Sequence, residues 1–492
     1  MHRTLSLILA LVVAPLAAGQ PPKDAVTPPL AAKPGRAELT AAPAPAPVPA
    51  LRFELLPPGR DKVPGNAAVG YLKAVALQPP WPRDPEAARK QSEKLERWDE
   101  ARFDQLPAAE VEEFFKAYRD MLRTVDDAAR FDRCDWQQRL SGPEAISGTL
   151  TVVQGHRELA RWLSLRAKLE LAQDRPADAV RTLQTGFQLG KDVGEGGTLI
   201  QMLVGHAIAT VMVGRAEDVI RHPDGPNLYW ALTTLPRPFI DPRPSLDGES
   251  RFSASFLPWL SEMQAGPVSE EQAQKAFRNT LRMMGGVIQD APKEDKLTDL
   301  LGNIGMAAGL AAQGKQAKKD LLTRGWKEKD VVAMPNAQAV ILLTASVHQE
   351  VWDDQVKLFH LPYPAAVQEM VKTRKRVEEL RKAHPMNPLI AVFALLYPAV
   401  EKVHEAHSRV DRRLTQLRAV EAVRLHAALN HGEIPKTLGE VTAVPVPDDP
   451  ATGKPFAYSA KGETFTLSAP PPKGEAPNPS NAFEYVVTVR KK

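Results

Sequence analysis

The sequence predicts a mainly α fold: an irregular multi-helix body with one helical hairpin, followed by a small C-terminal β-containing unit. Three observations lead to that class. From about residue 66 to 430 the apolar residues keep helical spacings of three and four, interrupted by Pro and Gly clusters. After Asn430-His431-Gly432 the helix formers give way to Pro, Thr, Val and aromatic residues. One Cys in 492 residues excludes a disulfide scaffold, so packing must supply the stability. With 43% hydrophobic and 25% charged residues the chain is neither wholly disordered nor collagen-like, and 63 Lys+Arg against 59 Asp+Glu, a formal charge of +4, argues against a dedicated nucleic-acid binder.

The elements follow in order. Residues 1–20, MHRTLSLILALVVAPLAAGQ, place Arg3 before an apolar run from Leu5 to Leu16 and end in small residues, which is the layout of a secretory signal. Cleavage after Gly19 puts Ala17 at the minus-three position, so residues 1–19 are read as the signal and the mature chain is expected to start near Gln20. The run is shorter than the roughly 20 residues a spanning helix needs. The expected location is therefore periplasmic, envelope-associated or extracellular, with no stable transmembrane anchor after cleavage. Residues 20–50 are read as a disordered linker, because positions 21–50 hold nine Pro and nine Ala and few large apolar residues to offset ordering entropy.

The helical body is expected over 51–430, with a break near 236–267 that allows two subdomains. Asp84-Pro85-Glu86 orders an N-cap, an N1 proline and an acidic first turn, opening a helix toward Arg102. Leu106-Pro107 resets the chain, and Val111, Phe114, Phe115, Tyr118, Met121 and Leu122 carry a second helix to about Arg130. Further helices are expected at about 149–173, 176–190, 197–221, 226–235, 268–289, 297–313, 336–359, 363–383 and 388–430. The apolar runs Leu301–Leu310 and Leu389–Val400 are too short to span a bilayer and read as core helices. Strands are expected at Phe456–Ser459, Thr464–Ser468 and Phe483–Arg490, within a β tail over 431–492.

Residues 159–190, LARWLSLRAKLELAQDRPADAVRTLQTGFQLG, set small or apolar residues at Ala167, Ala179, Leu183 and Gly186 across the turn Asp174-Arg175-Pro176. The segment resembles one tetratricopeptide-type (TPR-like) helix pair, but no second copy follows at a 34-residue period. Arg133-Cys134-Asp135-Trp136, Arg157-Glu158-Leu159-Ala160, the turn from Val193 to Ile200 and Pro226–Leu232 resemble a group of secreted helical proteins in planctomycete-like bacteria. That resemblance implies an exported helical body and brings no catalytic residues. The tail, with His431-Gly432-Glu433-Ile434-Pro435 and Asp449–Tyr458, is similar to the C-terminal part of general-secretion major pseudopilins. There a long helix leads through HGxxP-like and DPxxGxP-like turns into a strand. Several hundred residues separate this tail from any N-terminal helix, and the acidic calcium loop has no counterpart after Tyr458, so calcium binding is not implied.

Candidate chemistry is sparse. His404, His407 and Asp411 stand at i, i+3 and i+7 of one helix and could face a common zinc ion. The competing reading places His407 in the apolar seam with Val403, Val410, Leu414 and Leu417 and leaves His404 and Asp411 as a solvated flank. The segment reads His-Glu-x-His, not the zincin His-Glu-x-x-His, so no metal, catalytic or cofactor site is assigned. Gly194-Glu195-Gly196-Gly197-Thr198 follows a helix and is read as its end and the cap of the next one, with Thr198 as N-cap. Cys134 is expected to be a buried small hydrophobe. The basic run Lys372, Arg374, Lys375 and Arg376 is followed by Glu378 and Glu379, as on a solvated helix face. Neither Gly-x-Ser-x-Gly nor Ser-x-x-Lys occurs. The expectation is a secreted, non-catalytic interaction or scaffold protein with protein partners in the cell envelope, against the alternative of an exported hydrolase with a dispersed active site.

Overall fold

The computed structural model describes residues 34–138, 144–254, 259–288, 306–384, 387–471, 477–479 and 481–490. The signal reading, residues 20–33 of the linker and positions 297–305 lie outside them. In chain order the elements are β1 (Gly35–Ala41), β2 (Val63–Asn66), α1 (Ala67–Ala76), α2 (Pro85–Glu100), α3 (Ala108–Phe115), α4 (Arg119–Ala128), β3 (Phe131–Arg133), α5 (Glu144–Ala172), α6 (Pro176–Gly194), α7 (Leu199–Arg221), α8 (Tyr229–Thr233), α9 (Arg243–Ala254), α10 (Leu260–Ala265), α11 (Glu270–Ile288), α12 (Met306–Thr323), α13 (Glu328–Ala333), α14 (Asn336–Val356), α15 (Tyr363–Ala383), α16 (Pro388–Leu429), β4 (Ala457–Lys461), β5 (Thr464–Ala469) and β6 (Phe483–Val489). The fold is mainly helical with a small sheet near the C-terminus. The chain divides into two compact units. The larger holds Ala18–Gln138, Thr149–Ser245 and Glu405–Lys492, and the smaller centres on Leu246–His404.

Local chemistry sets several boundaries. Asp84 caps α2 by accepting from the Ala87 N–H at 2.8 Å, with Pro85 at N1. Gly197 has φ +92°, and Thr198 caps α7 through the Gln201 N–H. The single helix expected up to Arg130 is instead α3, a tight turn at Lys116–Tyr118, and α4. Tyr118 leaves helical geometry at φ −101°, ψ 3°, which rotates the apolar stripe between the two pieces. The helix expected to end near 313 continues to Thr323.

Two expectations about the ends of the chain are corrected. Residues 35–41 are no linker: β1 pairs in parallel with β6, from Gly35 opposite Phe483 to Ala41 opposite Val489. The high Pro and Ala content of the wider segment hides a short alternation, Arg36 and Glu38 outward, Leu39 and Ala41 buried. The β tail expected over 431–492 supplies only three strands of its sheet: the order is β1-β6-β5-β4, and β1 comes from the other end of the chain. Phe465, Leu467 and Ala469 of β5 and Tyr485, Val487 and Val489 of β6 form the inner face. A second, two-stranded sheet, β2 with β3, lies in the region where no strand was expected.

Helix α16 lies against the inner face of the four-stranded sheet. Gln416 donates to the carbonyls of Leu467 and Phe483, and the Arg413 guanidinium lies 3.3 Å from the Phe483 ring centroid. Val420, Val423 and Ala427 are fully buried, as are Phe456 and Phe465. Arg412 forms a buried bidentate pair with Asp449 at 2.8 and 2.5 Å and also donates to the carbonyls of Asn481 and Pro470. Asp449 itself accepts from the Ala451 N–H, and Gly453 turns with φ +64°. Pro450 sits between them, so the turn uses the chemistry expected of its Asp-Pro-x-x-Gly pattern.

Helices α6 and α7 approach each other backbone to backbone. Gly186, Gly190 and Gly194 form one row on α6, and a Cβ at Gly205 of α7 would collide with the backbone of Gly190 and Gly194. Of the small positions assigned to a TPR-like pair, Ala167 and Ala179 are fully buried, but Gly186 makes room for Met212 of α7. Among the described residues α7 alone is long and apolar enough to cross a membrane, yet its Glu217 accepts from the Tyr485 hydroxyl and pairs with Arg413, as a core helix does.

The smaller unit is organised on α14, whose first two turns, Ala337–Thr344, are buried on every side. Gln338 serves the turn between α10 and α11 from there, donating to the Met263 and Gly266 carbonyls and accepting from the Val268 N–H. The basic run on α15 is neutralised: Lys372 pairs with Glu369, Lys375 with Glu379, Arg376 with Glu350 and Asp354, and Arg374 with Glu401.

Candidate functional site

The three residues proposed for zinc do not converge. His404 points its Nε2 at the Leu358 carbonyl, 3.1 Å away, with its ring against Phe359 and Tyr363 in the smaller unit. His407 belongs to the larger unit and faces His206, with Nδ1 and Nε2 3.3 Å apart. Asp411 accepts the Phe239 N–H at 2.9 Å, and burial pushes its carboxyl up to about 7. The reading of His404 and Asp411 as a solvated flank is therefore corrected, because α16 is packed on more sides than one apolar stripe implies. Among the described residues no group of three or more His, Cys, Asp or Glu side chains is placed to hold a metal ion.

A polar network does form around Arg133-Cys134-Asp135-Trp136, the segment that leaves β3. Asn66, which caps α1, also receives the Asp135 N–H at 2.8 Å and donates to the Asp135 carbonyl at 2.8 Å. This holds Trp136 over α6, where its indole N–H donates to the Asp192 carbonyl at 3.0 Å. The Asp192 carboxylate accepts from the Tyr71 hydroxyl at 2.8 Å and from Gln188 at 2.7 Å. Burial pushes that carboxyl up to about 6 against the pull of those two bonds and of Lys62 and Lys191. His156 of α5 is fully buried against Trp136 and Tyr71, neither ring nitrogen has a partner, and burial pushes it down to about 4.

This network is built to hold α1, α5, α6 and the β3 exit together. Burial, and then the Asp192 charge, drive the Cys134 thiol well up, the opposite of what a nucleophile needs. Periodicity alone hid the participants, since Tyr71, His156 and Asp192 occupy ordinary inward positions of their helices. The signal available was the density of aromatic and charged residues in Phe131–Trp136.

A recess of about 410 Å³ opens elsewhere in the larger unit, lined by Gln78, Pro79, Trp81, Ser92, Tyr118, Glu158, Arg161 and Trp162. Behind its lining runs an aromatic ladder, of which Trp98, Tyr118 and Trp162 are buried. Trp98 meets Phe114 edge-on at 5.3 Å, Phe114 stacks on Tyr118 at 4.8 Å, and Tyr118 lies 4.6 Å from Trp162. The outer end of the ladder is closed by Lys94, 4.7 Å from Trp98 and paired with Glu110. At the recess end the Arg161 guanidinium lies 5.9 Å from the Trp162 ring and is held by Asp99 at 2.7 Å. Tyr118 has its hydroxyl pushed up, by burial first and by Glu158 second, with Arg161 opposing. Trp81 forms an exposed wall. The helix through Tyr118 was expected; a shared wall of α2, α5 and the Gln78–Trp81 segment was not legible, because it depends on tertiary packing.

Comparison of the chain with protein families, with curated proteins and with solved structures finds no match in any of the three.

Proposed function

We propose that the chain is an exported, non-catalytic binding protein of the cell envelope, and that the recess beside Trp81 is where it meets its ligand. The observation that carries this reading is the recess itself: a concavity of about 410 Å³, within the usual size range of ligand pockets, lined by the hydrogen-bonding side chains of Gln78, Ser92, Glu158 and Arg161 beside the exposed Trp81. The signal layout supports export, and the similarity of the tail to pseudopilins supports a place in the envelope. The titratable groups with displaced pKa values, Asp192, His156 and Asp411, serve packed segments, which supports binding over turnover.

An exported hydrolase with a dispersed active site is the second reading; the group it would call on is the Asp192 carboxyl, which burial pushes up to about 6 and which accepts from the Tyr71 hydroxyl. The test is N-terminal sequencing of the envelope fraction together with a hydrolase substrate panel. A mature start near Gln20 and no turnover are expected. An intact Met1 on a cytoplasmic product would refute export, and turnover that Asp192→Asn abolishes would make the protein an enzyme.

A further inference from the structure

We infer that the outward face of α1 seats on an anionic lipid surface, a contact separate from the recess and independent of it. α1 buries Ala67, Ala68, Tyr71 and Ala74, which fixes the helix on the larger unit. On its opposite side Val69, Leu72 and Ala76 stand at i, i+3 and i+7 and are exposed, Val69 by 61%. Leu77 extends this stripe at the C-cap, Val63 precedes the helix, and Trp81 follows among Pro79, Pro80 and Pro82. Five of the thirteen large apolar side chains exposed among the described residues thus fall within Val63–Trp81, a concentration that marks an interaction surface.

Charge selects what covers it. From Val63 to Arg83 the chain holds two cations, Lys73 and Arg83, and no carboxylate. Both are exposed, and neither is paired with a carboxylate among the described residues. The acids at the margins are engaged or outnumbered: Asp84 accepts the Ala87 N–H, Asp132 accepts the Gly65 N–H, and Asp61 stands between Arg60 and Lys62. Lys73 lies on the stripe between Val69 and Ala76, so its methylenes can cover apolar surface while its ammonium reaches a phosphate headgroup. The Trp81 indole suits the same boundary, apolar at one end and wet at the other. A second copy fits worse, because a twofold contact over this face would desolvate two Lys73 ammoniums with no carboxylate in the segment to meet them.

The experiment is co-sedimentation of the full mature chain with vesicles of equal parts phosphatidylglycerol and phosphatidylcholine and with vesicles of phosphatidylcholine alone. Sedimentation velocity without lipid and a polyglutamate peptide complete it. With about fivefold in affinity for each cation near an anionic surface, the anionic vesicles are expected to bind more than about tenfold tighter than the neutral ones, and less so as salt rises. Val69→Ser combined with Leu72→Ser should weaken binding about tenfold or more and Lys73→Gln about fivefold, both at the wild-type melting temperature because these side chains are exposed. Binding unchanged in the double variant lies elsewhere and overturns the inference, as do equal binding to both vesicles and binding to neither. A dimer that the double variant abolishes, without vesicle binding, overturns the lipid and gives the face to a second copy; polyglutamate binding lost in Lys73→Gln, without vesicle binding, gives it to an acidic protein. An intact Met1 would refute export and leave the vesicle result standing, while turnover lost in Asp192→Asn would overturn the binding reading separately.

Discussion

His156 is an imidazole buried against Trp136 and Tyr71 with no hydrogen-bond partner. Its proton affinity is lowered from an unfolded value near 6.5 to about 4, so the unfolded chain takes up a proton that the folded one refuses. The His156 contribution is therefore intact above pH 6.5 and is lost as pH falls toward 4. Asp192 and Asp411 act with the opposite sign: with folded values raised to about 6 and 7, they favour the fold progressively as pH drops from 7 toward 4. His156→Phe isolates the first effect. Denaturant unfolding of both proteins at pH 7 and pH 4 should show the variant losing less stability on acidification, by up to about 3 kcal/mol; equal losses would mean that the imidazole is protonated in the fold. Lys168 marks a limit of sequence reading at this scale. Its place in a helical pattern suggests a solvated residue, yet it is buried and donates to the carbonyls of Trp98, Asp99 and Ala101 at the end of α2. A partner some 70 positions away leaves no trace in local spacing.

Glycines on both helices decide how closely α6 and α7 approach, and the neighbours of each differ in how they can yield. A methyl group at Gly205 meets main-chain atoms of Gly190 and Gly194, whereas one at Gly186 meets the flexible end of Met212 and one at Gly214 meets open space. Thermal unfolding should rank Gly205→Ala as the most destabilised, by about 1–3 kcal/mol, Gly186→Ala as milder, and Gly214→Ala as unchanged or up to about 1 kcal/mol more stable, since alanine is the better helix former. Equal melting temperatures would show that the helices are not in contact along this row. Arg412 and Asp449 give a second expectation. Arg412→Ala leaves a carboxylate with 0% side-chain exposure unpaired and should cost about 3–5 kcal/mol, read in the same assay. Most helices were legible because periodicity, caps such as Asp84 and Thr198, and turn residues such as Gly453 act within a few positions. The break at Tyr118 and the pairing of Arg412 depend on packing and were not.

For the chain as a whole, the sheet joins segments from its two ends. A fragment of 434–490 lacks β1, α16 and Arg412, and at this size isolated domains without disulfides or metal are marginal. Its NMR spectrum should be undispersed, and deleting residues 35–41 from the full chain should lower the melting temperature; a cooperative spectrum from the fragment would make the tail an independent domain. The strands β4, β5 and β6 and the turn at Asp449 were legible, whereas the β1 pairing was not, because nothing in Gly35–Ala41 names a partner 448 positions later. That separation also has a temporal side. With synthesis at about 5–20 residues per second, β1 exists for tens of seconds before β6 is made, and loop closure over so long a span is slow as well. The larger unit therefore cannot complete its sheet while the chain is growing, and in the meantime a segment with an unpaired strand edge depends on whatever holds the nascent chain open, a demand that an export route acting on unfolded chains would meet.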